Sequence, residues 1–166
     1  GCDKNLVDTE KMLGQLLEHG HSFTDSEEDA DAVVVNSCCF IGDAKEESIQ
    51  NILDMAELKK SGQIKALIVC GCLAQRYREE IRKEIPEVDE VLGTMATDKI
   101  VEALEQAVAG NTGCYLGALD TLPLADGRRV VTTGGHYAYL KIAEGCDKHC
   151  TYCIIPKVRG DYRSVP

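Results

Sequence analysis

Cys146, Cys150 and Cys153 stand in a Cys-x-x-x-Cys-x-x-Cys run that gathers three thiols within eight residues. Thiolates are soft ligands suited to iron. A 4Fe-4S cluster ordinarily takes four protein thiolates, so three leave one iron with an open coordination position. Such an iron can chelate the amino and carboxylate groups of S-adenosylmethionine, and an electron from the cluster would then cleave the sulfonium to release a 5′-deoxyadenosyl radical. The competing chemistry is a zinc knuckle with His149 as a fourth ligand. Zinc sites ordinarily pair two Cys-x-x-Cys units or add spaced histidines, and no second pair follows here.

The chain has nine cysteines in 166 residues, a density that in a reducing compartment points to metal or redox chemistry before disulfides. Three others share one structural position. Cys38 follows the apolar run Ala32-Val33-Val34-Val35, Cys72 follows Ala66-Leu67-Ile68-Val69, and Cys2 would follow a strand expected upstream of Gly1. The carboxyl ends of parallel strands are where such sheets bind ligands, so these three predict a second three-thiolate site. Cys39 is a competitor, although next to Cys38 it points the other way in extended chain. Cys70 continues a buried run and reads as a small core residue. Cys114 falls in a glycine-rich stretch with no evident partner.

These sites need a scaffold. Asn5 is placed to cap a helix over residues 5–19, with Met12, Leu13, Leu16 and Leu17 on one face and Gly20 as its stop. After a link through Ser26, Glu27, Glu28 and Asp29, residues 32–35 form a continuous β-branched run that suits a strand buried on both faces. Asp43 and Glu46 resemble a capping box, and Ile49, Ile52, Leu53 and Ala56 keep helical spacing up to about Gly62. Residues 66–69 read as a second buried strand, followed by a helix over 74–83 carrying Tyr77 and Ile81 and closed by Pro86. Residues 90–92 are a short third strand. Residues 98–109 are a helix with Ile100, Val101, Leu104 and Val108 inward and Gly110 at its end.

Strand and helix alternate, which predicts an α/β fold: an open parallel sheet with right-handed crossovers and helices on both faces, over residues 1–110. Residues 111–135, punctuated by Gly113, Gly117, Pro123, Gly127, Gly134 and Gly135, read as a linker. From His136 to Ile142 the sequence alternates as a strand does and runs into Cys146, so residues 136–166 are expected to open a second domain.

Composition excludes several classes. With 44% hydrophobic and 28% charged residues, the chain is neither disordered nor collagenous. It has no long uncharged apolar run and no signal peptide, so neither a membrane span nor export is expected. The net charge of -10 and a pI near 4.8 argue against this segment gripping nucleic acid by itself, because phosphate binding draws on clustered Lys and Arg. The same charge favours a protein substrate of basic character. With no initiator Met and no terminating feature at Pro166, the chain is expected to continue beyond both ends.

Gly1-Cys2-Asp3-Lys4-Asn5-Leu6-Val7-Asp8-Thr9-Glu10, Val35-Asn36-Ser37-Cys38-Cys39-Phe40-Ile41 and Gly71-Cys72-Leu73-Ala74-Gln75-Arg76-Tyr77 resemble the three cysteine motifs of the methylthiotransferase family. The run Ala143-Glu144-Gly145-Cys146-Asp147-Lys148-His149-Cys150-Thr151-Tyr152-Cys153-Ile154-Ile155-Pro156, with Arg159-Gly160 and Tyr162-Arg163-Ser164 after it, resembles that family's radical motif. Within the family, the residues from Lys4 to Asp8 and the pair Phe40-Ile41 resemble the RimO-type branch, which modifies an aspartate of ribosomal protein uS12.

The resemblance implies that Cys2, Cys38 and Cys72 hold an auxiliary 4Fe-4S cluster, that Cys146, Cys150 and Cys153 hold the radical cluster, and that Tyr152 packs against the adenine of S-adenosylmethionine. It further implies a transferase that uses two S-adenosylmethionine molecules per turnover to place a methylthio group on the β-carbon of the target aspartate. Family members carry a near-complete radical (β/α) barrel and a C-terminal TRAM domain. Only the barrel's first strand and cluster loop would fall within this chain, which alone should be inactive. A cytoplasmic location and an electron donor such as flavodoxin or ferredoxin also follow from the resemblance. Asn36 and Gln75 could hydrogen-bond a cluster or simply hold the loop backbone. The alternative activities are a tRNA adenosine 2-methylthiotransferase and, from another class, a non-catalytic iron-sulfur electron-transfer module.

Overall fold

The computed structural model describes residues 1–121 and 127–165. Pro123, one of the turn residues expected in the linker, and Pro166 lie outside the described residues. Strands β1 (Ala32–Ser37), β2 (Ala66–Gly71), β3 (Glu90–Leu92) and β4 (Gly113–Tyr115) form one sheet in the order β1-β2-β3-β4. Every adjacent pair is parallel, with Val33 opposite Leu67 and Val69 opposite Val91. Helices α1 (Asp3–Glu18), α2 (Gly42–Lys60), α3 (Cys72–Glu84) and α4 (Ile100–Val108) alternate with the strands.

Side chains of β2 point alternately to the two faces. Leu67 and Val69 pack with Ile52 and Ala56 of α2 and with Leu73 and Ile81 of α3. Ala66, Ile68 and Cys70 pack with Met12 and Leu16 of α1 and with Ile100 and Leu104 of α4. The expected α/β architecture, a parallel sheet between two helical layers, is the observed one. All of β2 is buried, whereas β1, which among the described residues pairs with β2 alone, stays half-buried up to Asn36. Val33, Val34 and Val35 are therefore not enclosed to the extent their unbroken apolar run predicts.

Local expectations need correction where tertiary contacts took over a polar side chain. Asn5 does not cap α1; Cys2 occupies the cap position, and Asn5 sits inside the helix at 3% exposure with its amide in long-range hydrogen bonds. Asp43 and Glu46 form no capping box, since the cap residue of α2 is Ile41 without a side-chain bond. The buried stripe of α2 is Ser48, Ile52, Met55 and Ala56, which leaves Ile49 and Leu53 exposed. Val108 is likewise exposed, and Ala103 and Ala107 fill the sheet side of α4 instead. Small residues there let the helix approach the sheet closely.

Two further differences lie beyond Gly110. The expected linker begins with β4, which pairs with β3 and places Cys114 opposite Val91. The strand expected over residues 136–142 is absent; the chain pairs there at β5 (Ala143–Glu144), antiparallel to β6 (Arg163–Ser164), with the Ile142 carbonyl accepting from the Val165 amide at 2.9 Å. Alternation marks two faces but supplies no hydrogen-bonding neighbour, and Leu140 and Ile142 are exposed.

Glu10 is one of the buried carboxylates of α1 that tie down the segment after residue 127. Glu10 is fully buried. Its Oε1 accepts from the Thr132 amide at 2.6 Å and the Thr132 hydroxyl at 2.9 Å, and its Oε2 accepts from Arg129 Nε at 2.9 Å. Burial alone would raise the Glu10 carboxyl, but the Thr132 amide and Arg129 together hold it below the ordinary value. Glu90, in contrast, is buried with Oε2 unpartnered among the described residues. Burial, with Asp89 beside it, pushes its carboxyl up to about 7.

Candidate metal centres

Cys2, Cys38 and Cys72 lie at the carboxyl end of the sheet. Cys38 directly follows β1, Cys72 opens α3 directly after β2, and Cys2 precedes the first turn of α1. The ends of β1 and β2 approach closely because residue 71 is glycine. Its φ is 91°, and a Cβ there would collide with Asn36 Oδ1 and the Ser37 carbonyl. Asn5 joins the three segments: its Nδ2 donates to the Ser37 carbonyl at 3.1 Å, while its Oδ1 accepts from Cys2 Sγ at 3.7 Å and from Cys72 Sγ at 3.8 Å. Two thiols from distant parts of the chain thus meet on one oxygen.

Cys38 and Cys72 are 6% and 8% exposed, and the Cys38 amide donates to Ser48 Oγ at 2.9 Å. Burial pushes the Cys72 thiol up; the Arg159 charge opposes this, and Cys38 and Cys2 lie near enough to add to the rise. Among the described residues, no three His, Cys, Asp or Glu side chains close around a point as ligands of a single metal ion. In a polynuclear cluster each thiolate binds a different iron, so the ligands stand further apart than around one ion. Three thiols are the soft donors that such an iron-sulfur cluster takes.

The neighbouring thiols are otherwise engaged. Cys39 Sγ donates to the Cys72 carbonyl at 3.3 Å and packs into the cluster with Ile52 and Val69. Burial pushes its thiol up to about 11. Cys70 is fully buried on the opposite face of β2, where burial drives its thiol far above the ordinary value. Asn36 donates to the Asn5 carbonyl at 2.9 Å and to Thr9 Oγ1 at 2.8 Å, so it joins β1 to α1. Gln75 Oε1 accepts from the Thr94 amide at 3.1 Å. Both side chains are bound to the scaffold around the thiols.

The second set follows β5. The Cys146 amide donates to the Gly160 carbonyl at 3.0 Å, and the Cys153 amide closes a turn onto the Cys150 carbonyl at 3.0 Å. Gly145 has φ 72°, and a Cβ on it would run into the Gly160 and Asp161 carbonyls. Cys150 is exposed, Cys146 and Cys153 are half-buried, and Tyr152 is 88% exposed. Two clefts of about 700 and 860 Å³ elsewhere on the molecule are lined by none of these six cysteines.

A charged network links the sets. Arg159, the last residue of α5 (Ile155–Arg159), is 3% exposed. Its Nη1 donates to Asp8 Oδ2 at 2.8 Å and Glu144 Oε2 at 3.2 Å, and its Nη2 donates to Asn5 Oδ1 at 2.8 Å. Lys141 pairs with both acids, and Lys4 reaches Glu144 at 3.4 Å. Burial would raise the Glu144 carboxyl, yet Arg159 and Lys141 hold it below the ordinary value. The sequence motifs contain Asp8, Glu144 and Arg159 but do not pair them, although the polar Asn5 and Asp8 at helical i, i+3 spacing amid Val7, Met12 and Leu16 share one helix face.

A family model described as uncharacterized protein family UPF0004 matches residues 1–93. The chain is 61% identical to the ribosomal protein uS12 methylthiotransferase RimO of Lachnoclostridium phytofermentans, over 100% of this chain and 38% of that protein. It is 48% identical to the protein of the same name from Trichlorobacter lovleyi, over 100% of this chain and 37% of that one. For the same-named protein of Solibacter usitatus the identity is 51%, over 99% of this chain and 34% of that one. The chain spans less than two fifths of the length of these relatives. It resembles RimO-type proteins throughout, and with residues 1–93 matched by the family model it belongs to the UPF0004 family.

Proposed function

We propose that this chain is the cluster-bearing part of a radical S-adenosylmethionine methylthiotransferase that modifies an aspartate of ribosomal protein uS12. Cys2, Cys38 and Cys72 would hold an auxiliary 4Fe-4S cluster and Cys146, Cys150 and Cys153 a second one, each set of three leaving one iron open. When bound, these groups and S-adenosylmethionine supply the radical that removes a hydrogen from the aspartate β-carbon and the methylthio group that replaces it. The observation that carries the reading is the juxtaposition of the two sets: the segment around Cys146–Cys153 is hydrogen-bonded, through Ala143, Glu144 and Arg159, to the helix that Cys2 caps.

The protein's own residues position and shield. Burial shields Cys38 and Cys72 from water while Cys2 stays exposed, and Asn5 fixes α1 against the ends of β1 and β2. At the second set, exposed Cys150 and Tyr152 leave room for a ligand, and Tyr152 offers a ring face to its adenine. The net charge of -10 suits a basic protein partner. Residues 1–110, with β4 completing their sheet, would serve as the auxiliary-cluster domain, the rest of 111–135 as the linker and 136–166 as the start of a radical (β/α) barrel. A flavodoxin or ferredoxin would supply electrons, and a ribosomal substrate places the reaction in the cytoplasm.

Adding S-adenosylmethionine to anaerobically reconstituted full-length protein tests the open-iron reading against a non-catalytic electron carrier. The EPR spectrum of the reduced protein is expected to change on addition. An unchanged spectrum in iron-replete protein would favour the carrier.

A further inference from the structure

Arg159 belongs in sequence to the second cysteine set and in space to the first. It follows Cys153 by six residues, yet its Nη2 donates to the same Asn5 Oδ1 that receives Cys2 and Cys72. That sharing matters when metal binds. A thiol that becomes a cluster ligand loses its proton, and with it the hydrogen bond to Oδ1. Two thiolates would then face an amide oxygen, an arrangement that repels unless a cation already holds that oxygen. The Arg159 guanidinium is that cation, with N–H donors on a planar fork to spare for the sulfurs.

A simple interface ion pair would account for Asp8 and Glu144 but not for the contact with Asn5. Buried arginine is costly to desolvate and is retained only where several partners meet it. Here the partners divide: two carboxylates on one side, and the amide that touches the thiols on the other. Asp8 and Glu144 are also bound by Lys141, so the acids would remain paired without Arg159, whereas Asn5 Oδ1 would lose its one cationic donor among the described residues.

We infer that Arg159 is a positioning residue which, through Asn5, tunes the cluster held by Cys2, Cys38 and Cys72 and couples its site to the segment carrying Cys146, Cys150 and Cys153. The inference rests on the proposed ligand sets. Positive charge and hydrogen bonds near the cluster sulfurs stabilise the more negative, reduced form and so raise the reduction potential. Asp8, on the far side of the guanidinium, offsets part of that charge.

The test uses full-length protein in which Cys146, Cys150 and Cys153 are Ala, so that only the first site can load. Iron per chain and the midpoint potential from an EPR-monitored redox titration are measured for this parent and for Arg159→Gln, Arg159→Lys and Asp8→Asn in it. The parent is expected to hold about four iron atoms; failure to hold any would overturn the ligand reading itself. Given a loaded parent, Arg159→Gln should move the potential negative, Arg159→Lys should fall between, and Asp8→Asn should move it positive. Opposite signs exclude general loosening, which would move Arg159→Gln and Asp8→Asn alike. An unmoved potential, or shifts of the same sign, would overturn the inference while leaving the ligand reading intact. If Arg159→Gln fails to load, the Arg159→Lys and Asp8→Asn variants decide it by the same signs.

Discussion

Replacing Cys38 with Ala in the full-length protein is expected to lower reconstituted iron by about half, from roughly eight atoms per chain to roughly four, whereas Cys39→Ala leaves the content unchanged. The two cysteines are adjacent and similarly buried, so burial does not separate them. Their contacts do. Cys39 Sγ is committed to the Cys72 carbonyl and to the apolar layer between α2, α3 and the sheet. Cys38 lies outside that layer, at the end of β1, with its backbone fixed by Ser48. Iron analysis under anaerobic reconstitution reads the result directly, and loss of iron on Cys39→Ala alone would exchange the two roles.

The second large effect concerns the hold on the chain after residue 127. Glu10→Ala removes the carboxylate that receives the Thr132 amide, the Thr132 hydroxyl and Arg129. Stranding these donors should cost about 2–4 kcal/mol of local stability, the upper part being reached only if the half-buried Arg129 cannot turn out to water. Hydrogen exchange at the Thr132 amide should accelerate by roughly thirtyfold or more. Glu10→Gln, which keeps the acceptor oxygen but loses the charge, should cost less. The same pairing makes the contact sensitive to acid. Because the Glu10 carboxyl is held below its ordinary value of 4.5 in the fold, its contribution is complete above that pH and is lost as pH falls through the lowered folded value. An exchange rate that is the same in wild type and Glu10→Ala would show that other contacts hold the segment.

Much of this architecture was legible because the sheet is parallel and buried. The runs at residues 66–69 and 90–92 could be read as strands from β-branched and apolar residues alone, since a strand covered on both faces needs no alternation. The glycines at 71 and 145 could not be interpreted until the carbonyls and side chains they approach were in place. What escaped reading was pairing across long separations. Asn5 carries a good capping side chain, but its best partners are Ser37, Cys72 and Arg159, up to 154 residues away. Glu10 looks like a solvated helix residue until Arg129 and Thr132 fold onto it. The alternation over residues 136–142 failed for the complementary reason, because a strand exists only where another strand accepts its hydrogen bonds.

The spacing Cys146, Cys150, Cys153 was legible as possible chemistry because the three thiols are close in sequence. The set of Cys2, Cys38 and Cys72 depended on the fold, and only the common position at strand ends made it visible. The network of Asp8, Glu144, Lys141 and Arg159 joins the two and was invisible in either motif alone.

The central claim concerns the substrate. Full-length protein, reconstituted anaerobically and supplied with reductant, a sulfur source and S-adenosylmethionine, should be offered ribosomal protein uS12 and tRNA in parallel, with both products examined by mass spectrometry. A methylthio mass gain on a single aspartate of uS12, with tRNA unchanged, is the expected result; a gain on tRNA alone would contradict it.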